Sequence, residues 1–426
     1  TASGAWSSSK GRSGAGTAAE PTCTVSRSGA SPNAPPLTRR TLLRRAGVGA
    51  AAVLVVGAGA TGYRAYDNGV FSAGSGDAYD PWRSWRDHRG TPLGMVAAGI
   101  LAANAHNAQA WIFRVSDARI DLYADRTRGT GALDPFRREM LVSLGCAIEN
   151  CVIAGVADGL ESTVTLRPDP ARPLHVARLD LRRAAPAAAG LHAQIPERHS
   201  SRDAFTRGRA VPAAALGSMS ALADGDLDEV GLTWFSDDAG RRRVGDLLVD
   251  ATEAVVADRD QARENDVWFR QDWDEVQRLR DGLTIDSSGL SDLVAALAKV
   301  LPAQSDPALD AAWVSGMRDR QVATAAAFGV MTVPDAGDDV QRLSGGRLLQ
   351  RIHLWATREG IALQHMNQLT ERADRERDLG IAPRFTDALR TLVPAGREVL
   401  VAFRVGYAAD GPVASPRRAL ESVVPA

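Results

Sequence analysis

Lysine is almost missing from this 426-residue chain: Lys10 and Lys299 are its only two, and arginine carries the basic side. Lys10 falls in a low-complexity tail, so Schiff-base or pyridoxal chemistry, which needs a reactive amine, is left with one candidate. Cysteine is nearly as scarce, with Cys23 in the tail and Cys146 and Cys151 five positions apart. On a helix that spacing turns the two thiols well away from each other. A disulfide framework and a cysteine zinc site are thereby disfavoured, leaving buried apolar thiols, and no metal site is read from the sequence. An excess of either charge is also absent. The 50 basic and 51 acidic residues leave −1 at pH 7, which gives no grip on nucleic acid or an anionic membrane surface. Long apolar runs are lacking too: Ala46–Ala60 offers about fifteen residues against the roughly 20 of a spanning helix.

The front end reads as address rather than fold. Residues 1–37, rich in Ser, Gly, Ala and Pro, have little to bury and are expected to be disordered. Thr38-Arg39-Arg40-Thr41-Leu42-Leu43-Arg44, the apolar stretch and the triplet Ala58-Gly59-Ala60 resemble a twin-arginine export signal over 38–62. That implies an exported or membrane-associated, extracytoplasmic protein whose membrane contact is limited to the signal. So long a tail ahead of a signal is unusual and fits a start site misplaced upstream. Gly57, Gly59 and Gly62 after Val53-Leu-Val-Val mimic the dinucleotide fingerprint. The segment that follows, Tyr63 to Gly76, has no apolar stripe and three further glycines, which argues against the amphipathic helix a Rossmann unit requires and leaves a Rossmann oxidoreductase as the third reading.

After a linker at 63–90, periodicity divides the chain into halves at 91–190 and 191–426. In the first half, helices are expected at 92–103 and 136–160, and strands at 110–115, 120–124, 162–167 and 175–181. In the second, helices are expected at 212–223, 241–263, 345–358 and 385–392, with extended segments at 230–235, 361–367 and 398–405. A helix followed by a Trp/Phe strand recurs about 120 residues apart, which suggests a diverged tandem duplication. Residues 264–305, charged and carrying Trp268 and Trp273, have no counterpart in the first half and read as a helical insertion covering something.

Two motifs carry the chemistry. Ala105-His106-Asn107-Ala108-Gln109-Ala110-Trp111 offers neutral amides beside an aromatic, suited to a planar heterocycle. Arg198-His199-Ser200-Ser201-Arg202 offers two guanidiniums flanking a hydroxyl, suited to a phosphate. A phosphorylated planar cofactor gripped from two sides follows, and FMN is the obvious one. Each half keeps what the other has lost.

These motifs resemble the nitroreductase-like FMN-binding superfamily, and within it the fused double-copy Acg family. Further loose matches are Asp134-Pro-Phe-Arg-Arg-Glu, Gly346-Arg-Leu-Leu-Gln-Arg-Ile-His and Pro416-Arg-Arg. The resemblance implies an α+β nitroreductase-like fold, duplicated in tandem as an intramolecular pseudo-dimer that is monomeric. It implies FMN as cofactor, NAD(P)H as donor and hydride transfer through flavin N5. Arg198, Ser200 and Arg202 would then hold the phosphate, completed by Arg417 or Arg418. Asn107 and Gln109, with Asn104 and His106 nearby, would line the ring. Met366, Asn367 and Gln368 would bring backbone amides towards N5. Ala103-Asn104 and Gln109-Ala110-Trp111 depart from the family's Pro-Ser and Gln-Pro-Trp, and no catalytic acid or base is assigned. The resemblance also implies an alternative without turnover: relatives cover the flavin with a lid, and 264–305 is the segment that could do so here.

Overall fold

The computed structural model describes residues 66–188, 190–300, 306–409 and 411–425. The tail, the export signal, the Gly57–Gly62 fingerprint, Lys10 and Cys23 lie outside the described residues. Helices of seven or more residues and all strands are numbered below in chain order.

The first half starts with α1 (Pro92–Gly99), opened by Pro92 and capped by Thr91, whose hydroxyl accepts from the Gly94 amide at 3.2 Å. The hairpin β1 (Trp111–Ser116) and β2 (Arg119–Ala124) follows, pairing Trp111 with Ala124 and Phe113 with Leu122. Next come α2 (Arg138–Ala157), β3 (Leu160–Leu166) and β4 (His175–Arg183). The strands form one antiparallel sheet in the order β1-β2-β4-β3.

The second half holds α3 (Ala213–Ser220), β5 (Gly231–Phe235), α4 (Asp238–Ala257) and α5 (Arg259–Val267). Then come β6 (Phe269–Arg270), α6 (Trp273–Leu279), β7 (Leu283–Thr284), α7 (Asp292–Val300) and α8 (Asp306–Ser315). It closes with β8 (Ala327–Val333), α9 (Asp339–Arg358), β9 (Ala362–His365), α10 (Gln368–Leu379), α11 (Arg384–Arg390) and β10 (Glu398–Gly406). Its antiparallel sheet runs β5-β8-β10-β9. Both sheets therefore take their strands in the same spatial order: first, second, fourth, third. In both, a 20-residue helix joins the second strand to the third. The architecture is α+β.

The two halves meet where α2 crosses α9. A Cβ added to Gly145 would stand 2.1 Å from the Leu343 carbonyl oxygen, and one on Gly346 would stand 2.0 Å from that of Val142. Only glycine permits so close an approach of two helix backbones. Polar ties flank the crossing: Glu149 accepts from Arg347 at 2.8 Å and Arg351 at 2.6 Å, and Gln350 donates to Asn150 at 2.8 Å. Arg138, buried, makes a two-pronged pair with Asp374 at 2.7 Å and donates to the Val399 carbonyl at 2.6 Å. α2 is apolar and long enough to cross a membrane, but here it is the buried core helix.

Three expectations need correction. The helix expected at 241–263 is two helices, because Asp258 takes an extended conformation and caps α5 with its side chain. The strand β8, buried along its whole length, shows no alternation and was not anticipated. Helix α10 was missed as well, since Gln-Leu-Thr-Glu-Arg-Ala-Asp-Arg-Glu-Arg-Asp-Leu carries too little apolar stripe to announce itself. The extra segment is also longer than 264–305. The first two strands are joined by Asp117 and Ala118 in one sheet and by residues 236–326 in the other.

Candidate functional site

A cavity of about 330 Å³ opens between the halves, within the size range of small-molecule sites. The first half contributes Ala103–His106 and the α2 face Glu139, Val142, Ser143 and Cys146. The second contributes Ser200, Arg202, Leu349, the end of β9 (Gln364, His365) and the start of α10 (Asn367, Gln368, Glu371). Over these lies the long connection, through Asn265, Asp266, Phe269, Leu283, Ser288, Leu290, Leu309, Asp310, Ala312 and Trp313. A π-helical turn, Gly316–Val322, then brings Arg320 and Gln321 to the wall. Such turns recur at functional sites.

Six of the twelve residues expected at the site do line this cavity: Asn104, His106, Ser200, Arg202, Asn367 and Gln368. The other six do not, and each is held away by a definite interaction. Arg198 is buried, donating to the Leu101 carbonyl at 2.9 Å. Asn107 donates to the carbonyls of Gly282 at 3.1 Å and Pro416 at 2.9 Å, and Gln109 donates to that of Arg280 at 2.8 Å. Arg417 donates to the Asn107 side chain and to the Ala102 carbonyl at 3.2 Å. Arg418 donates its amide to Gln109 Oε1 at 2.8 Å and a guanidinium N–H to the Gln109 carbonyl at 3.1 Å. Met366 is fully buried, its amide donating to the Ala402 carbonyl at 2.8 Å.

The reason is conformational. His106, Asn107 and Gln109 all have positive φ, between 48° and 55°. Three left-handed residues within four positions coil the loop so that its carbonyls are met from outside, Gln109 by Arg418, Ala108 by Arg128 and Asn107 by the Gly282 amide. The coil aims His106 inward and turns Asn107 and Gln109 outward. Arg198 and Arg417 thus tie down the carbonyls of Leu101 and Ala102 ahead of the loop, and each keeps a buried Nε without a hydrogen-bond partner.

Burial dominates the electrostatics. It pushes the imidazole of His106 down to about 4, helped by the positive Arg202, and that of His365 down to about 3, helped by Arg198 and Arg202. Both rings are neutral at pH 7. Burial lowers Arg202 as well, and no ion pair of its guanidinium occurs among the described residues; it donates to the Ser287 carbonyl at 3.1 Å. Opposite in sign are the carboxyls of Glu139 and Glu371. Burial raises both, Glu371 to about 7 and Glu139 well above the usual range, where the Glu371 charge adds to the effect. Burial also raises the Cys146 thiol to about 12, which makes it inert.

Several polar atoms on this wall are buried without a hydrogen-bond partner: His106 Nδ1, Glu139 Oε1, Arg320 Nε, Gln321 Oε1, His365 Nε2, Asn367 Oδ1, Gln368 Oε1 and Glu371 Oε2. Folded proteins seldom leave so many unmet, and those that remain unmet around a cavity call for a polar occupant. Asn367 caps α10 without a side-chain hydrogen bond, so the helix presents its free N-terminal amides nearby.

Glu139, Glu371, Arg320 and Trp313 were not read from the sequence as site residues. Glu139 closes the Asp134-Pro-Phe-Arg-Arg-Glu stretch and carried a signal of that kind; the other three had none. Trp268 and Trp273, carried by the segment expected to cover the site, are absent from the cavity wall: Trp268 is buried and Trp273 packs on the core.

No family profile matches the chain. Over 114 residues, 26% of this chain and 33% of the relative, it is 30% identical to the Mycobacterium tuberculosis H37Rv protein named "Putative NAD(P)H nitroreductase Rv3131". Over 85 residues, 20% of this chain and 26% of the relative, it is 32% identical to acg of the same organism, which carries the same designation. The chain spans about a third of the length of the curated relatives it matches. Among solved structures, the FMN-dependent nitroreductase NfnB from Mycobacterium smegmatis in complex with NADPH superposes with a TM-score of 0.34 at 19% identity, covering 56% of this chain and 98% of its own. A nitroreductase-like family protein from Bacillus cereus gives 0.31 at 14%, covering 57% and 98%. At these TM-scores the architecture rests on this chain's own strands and helices.

Proposed function

We propose that this chain, nitroreductase-like and of the Acg type, binds FMN in the cavity between its halves and works as an FMN-dependent NAD(P)H oxidoreductase. The observation that carries the reading is the composition of that wall. Arg202 and Arg320, with the hydroxyls of Ser200 and Ser288, supply unpaired cations and donors for a phosphate. Asn104, Asn367 and Gln368 supply amides for a heteroaromatic edge. The orphaned Arg320 Nε and Gln368 Oε1 fit a ligand that both accepts and donates.

FMN, which Ser200, Arg202, Ser288 and Arg320 would hold by its phosphate, would supply two-electron chemistry between a reduced nicotinamide and an acceptor. The chain's own residues do the rest. The positive end of α10 stabilises negative charge that develops on a bound ring. The 236–326 connection keeps water out through Phe269, Leu290 and Trp313. Glu371, with its carboxyl raised to about 7, holds a proton at Oε atoms that face the cavity and can release it near neutrality.

Two further proposals accompany this. The shared strand order of the sheets and the matching helices α2 and α9 support a diverged tandem duplication acting as a monomeric pseudo-dimer. Residues 38–62 act as a twin-arginine signal, a route for proteins that fold and load cofactor before export.

A second reading is favoured by the same covering segment: FMN held without turnover, because a donor cannot stack beneath Trp313. Anaerobic mixing of the flavin-loaded protein with NADPH separates the two. Bleaching of the flavin band within seconds supports the reductase, and a band unchanged over an hour supports sequestration.

A further inference from the structure

One cluster on the cavity wall takes no part in holding a flavin. We propose that His106, Glu139 and Glu371 form a binding site for a divalent first-row transition cation, of the Mn²⁺ or Zn²⁺ kind. One ring nitrogen and one oxygen from each carboxylate lie within 4.8 Å of one another, so small side-chain shifts bring all three to the bond lengths of about 2.0–2.2 Å that one ion requires. The three donors come from three rigid places: the left-handed loop, the first turn of α2 and the first turn of α10.

Charge makes the case stronger. Glu139 and Glu371 are 4% exposed, lie against each other, and have Asp134 as a further negative neighbour. The neighbouring cations make their ion pairs elsewhere, Arg138 with Asp374 and Arg372 with Asp258, and reach the two carboxyls only through space. Two carboxylates buried together need a positive charge between them. Glu139 Oε1, Glu371 Oε2 and His106 Nδ1 are all unpartnered, and all three residues border the cavity. A nitrogen in the set disfavours Mg²⁺ and Ca²⁺, and three protein donors leave coordination positions open towards the cavity. A proton shared by the two carboxyls is the competing solution.

The inference does not rest on the flavin reading, and its test is read without activity. Full-length protein is stripped with a chelator and titrated with Mn²⁺ near pH 7.5, following the free-ion EPR signal. Flavin content is read separately by absorbance. The expected result is one saturable site per chain, displaced by Zn²⁺ and accompanied by proton release as the carboxyl pair gives up its shared proton. Glu139→Gln and Glu371→Gln, which keep the side-chain shape, should each weaken Mn²⁺ by at least about tenfold. No saturable site in the unmodified protein overturns the proposal. So does a folded Glu371→Gln variant that binds Mn²⁺ unchanged.

Discussion

Replacing Gly145 by Ala should loosen the contact on which the cavity depends. The new Cβ would sit 2.1 Å from the Leu343 carbonyl oxygen, 2.9 Å from the Gly346 Cα and 3.0 Å from the Leu343 carbonyl carbon. All three atoms are backbone, so no side chain can rotate out of the way. Ordinary contact begins near 3.4 Å, which forces α2 and α9 apart by more than an ångström at their crossing. Overpacking of a core typically costs about 1–3 kcal/mol, and a clash against backbone belongs at or above the top of that range. Against this stands the helix preference of Ala over Gly, about 1 kcal/mol. A net loss of roughly 2 kcal/mol or more is expected. Because α2 carries Glu139, Val142, Ser143 and Cys146 into the cavity wall, ligand retention should fall together with stability. Denaturant unfolding and flavin content on the same preparation check this. A variant that gains about 1 kcal/mol, the propensity term alone, would refute the close crossing.

Other outcomes follow from individual contacts. Arg202→Ala should weaken flavin retention about 10- to 150-fold, from about 1.5–3 kcal/mol per charged hydrogen bond, with little change in thermal midpoint. Arg417→Ala should do the reverse, lowering the midpoint by unpinning the 102–109 loop; equal behaviour of the two variants in both assays would contradict the division of roles. Asp374→Ala should cost about 3–5 kcal/mol in denaturant unfolding, because it strands the buried Arg138 guanidinium, and a loss below about 1 kcal/mol would contradict that. Burial pushes His106 to about 4, His199 and His365 to about 3, and His353 well below its ordinary range. Below the ordinary 6.5 the unfolded chain binds protons that the folded chain refuses, so these histidines lose stability as pH falls through 6.5. Glu371 has the opposite sign: between its ordinary 4.5 and about 7 the folded chain holds a proton the unfolded chain has released, so its contribution is lost as pH rises. Thermal scans from pH 4 to 8 should therefore show stability rising with pH more steeply in Glu371→Gln than in the parent between 4.5 and 7, because the opposing carboxyl contribution is gone, and identical slopes would contradict the raised carboxyl.

What the sequence disclosed, and what it withheld, divides along physical lines. Elements with a regular apolar spacing were readable: β1, with Trp111 and Phe113 turned inward, and α2, whose apolar positions run its whole length. Elements without one were not. β8 is buried on both faces and α10 is mostly charged, yet α10 and its cap residue Asn367 supply three of the residues on the cavity wall. Residue type announced the two motifs, and both halves do bring members of them to one cavity. Which members face inward depended on backbone handedness. Nothing in Asn107 or Gln109 announces a positive φ, and that coil decides that His106 points in while the two amides point out. The pairing of Glu139 with Glu371 was hidden for another reason. It joins positions 232 apart, through a helix crossing that only the folded chain creates.

The most direct measurement is the flavin content of the purified full-length chain. The account predicts a yellow protein absorbing at about 450 nm that releases one FMN per chain on denaturation, with that content lost in Arg202→Ala. A colourless, folded protein that takes up no FMN on incubation would contradict it.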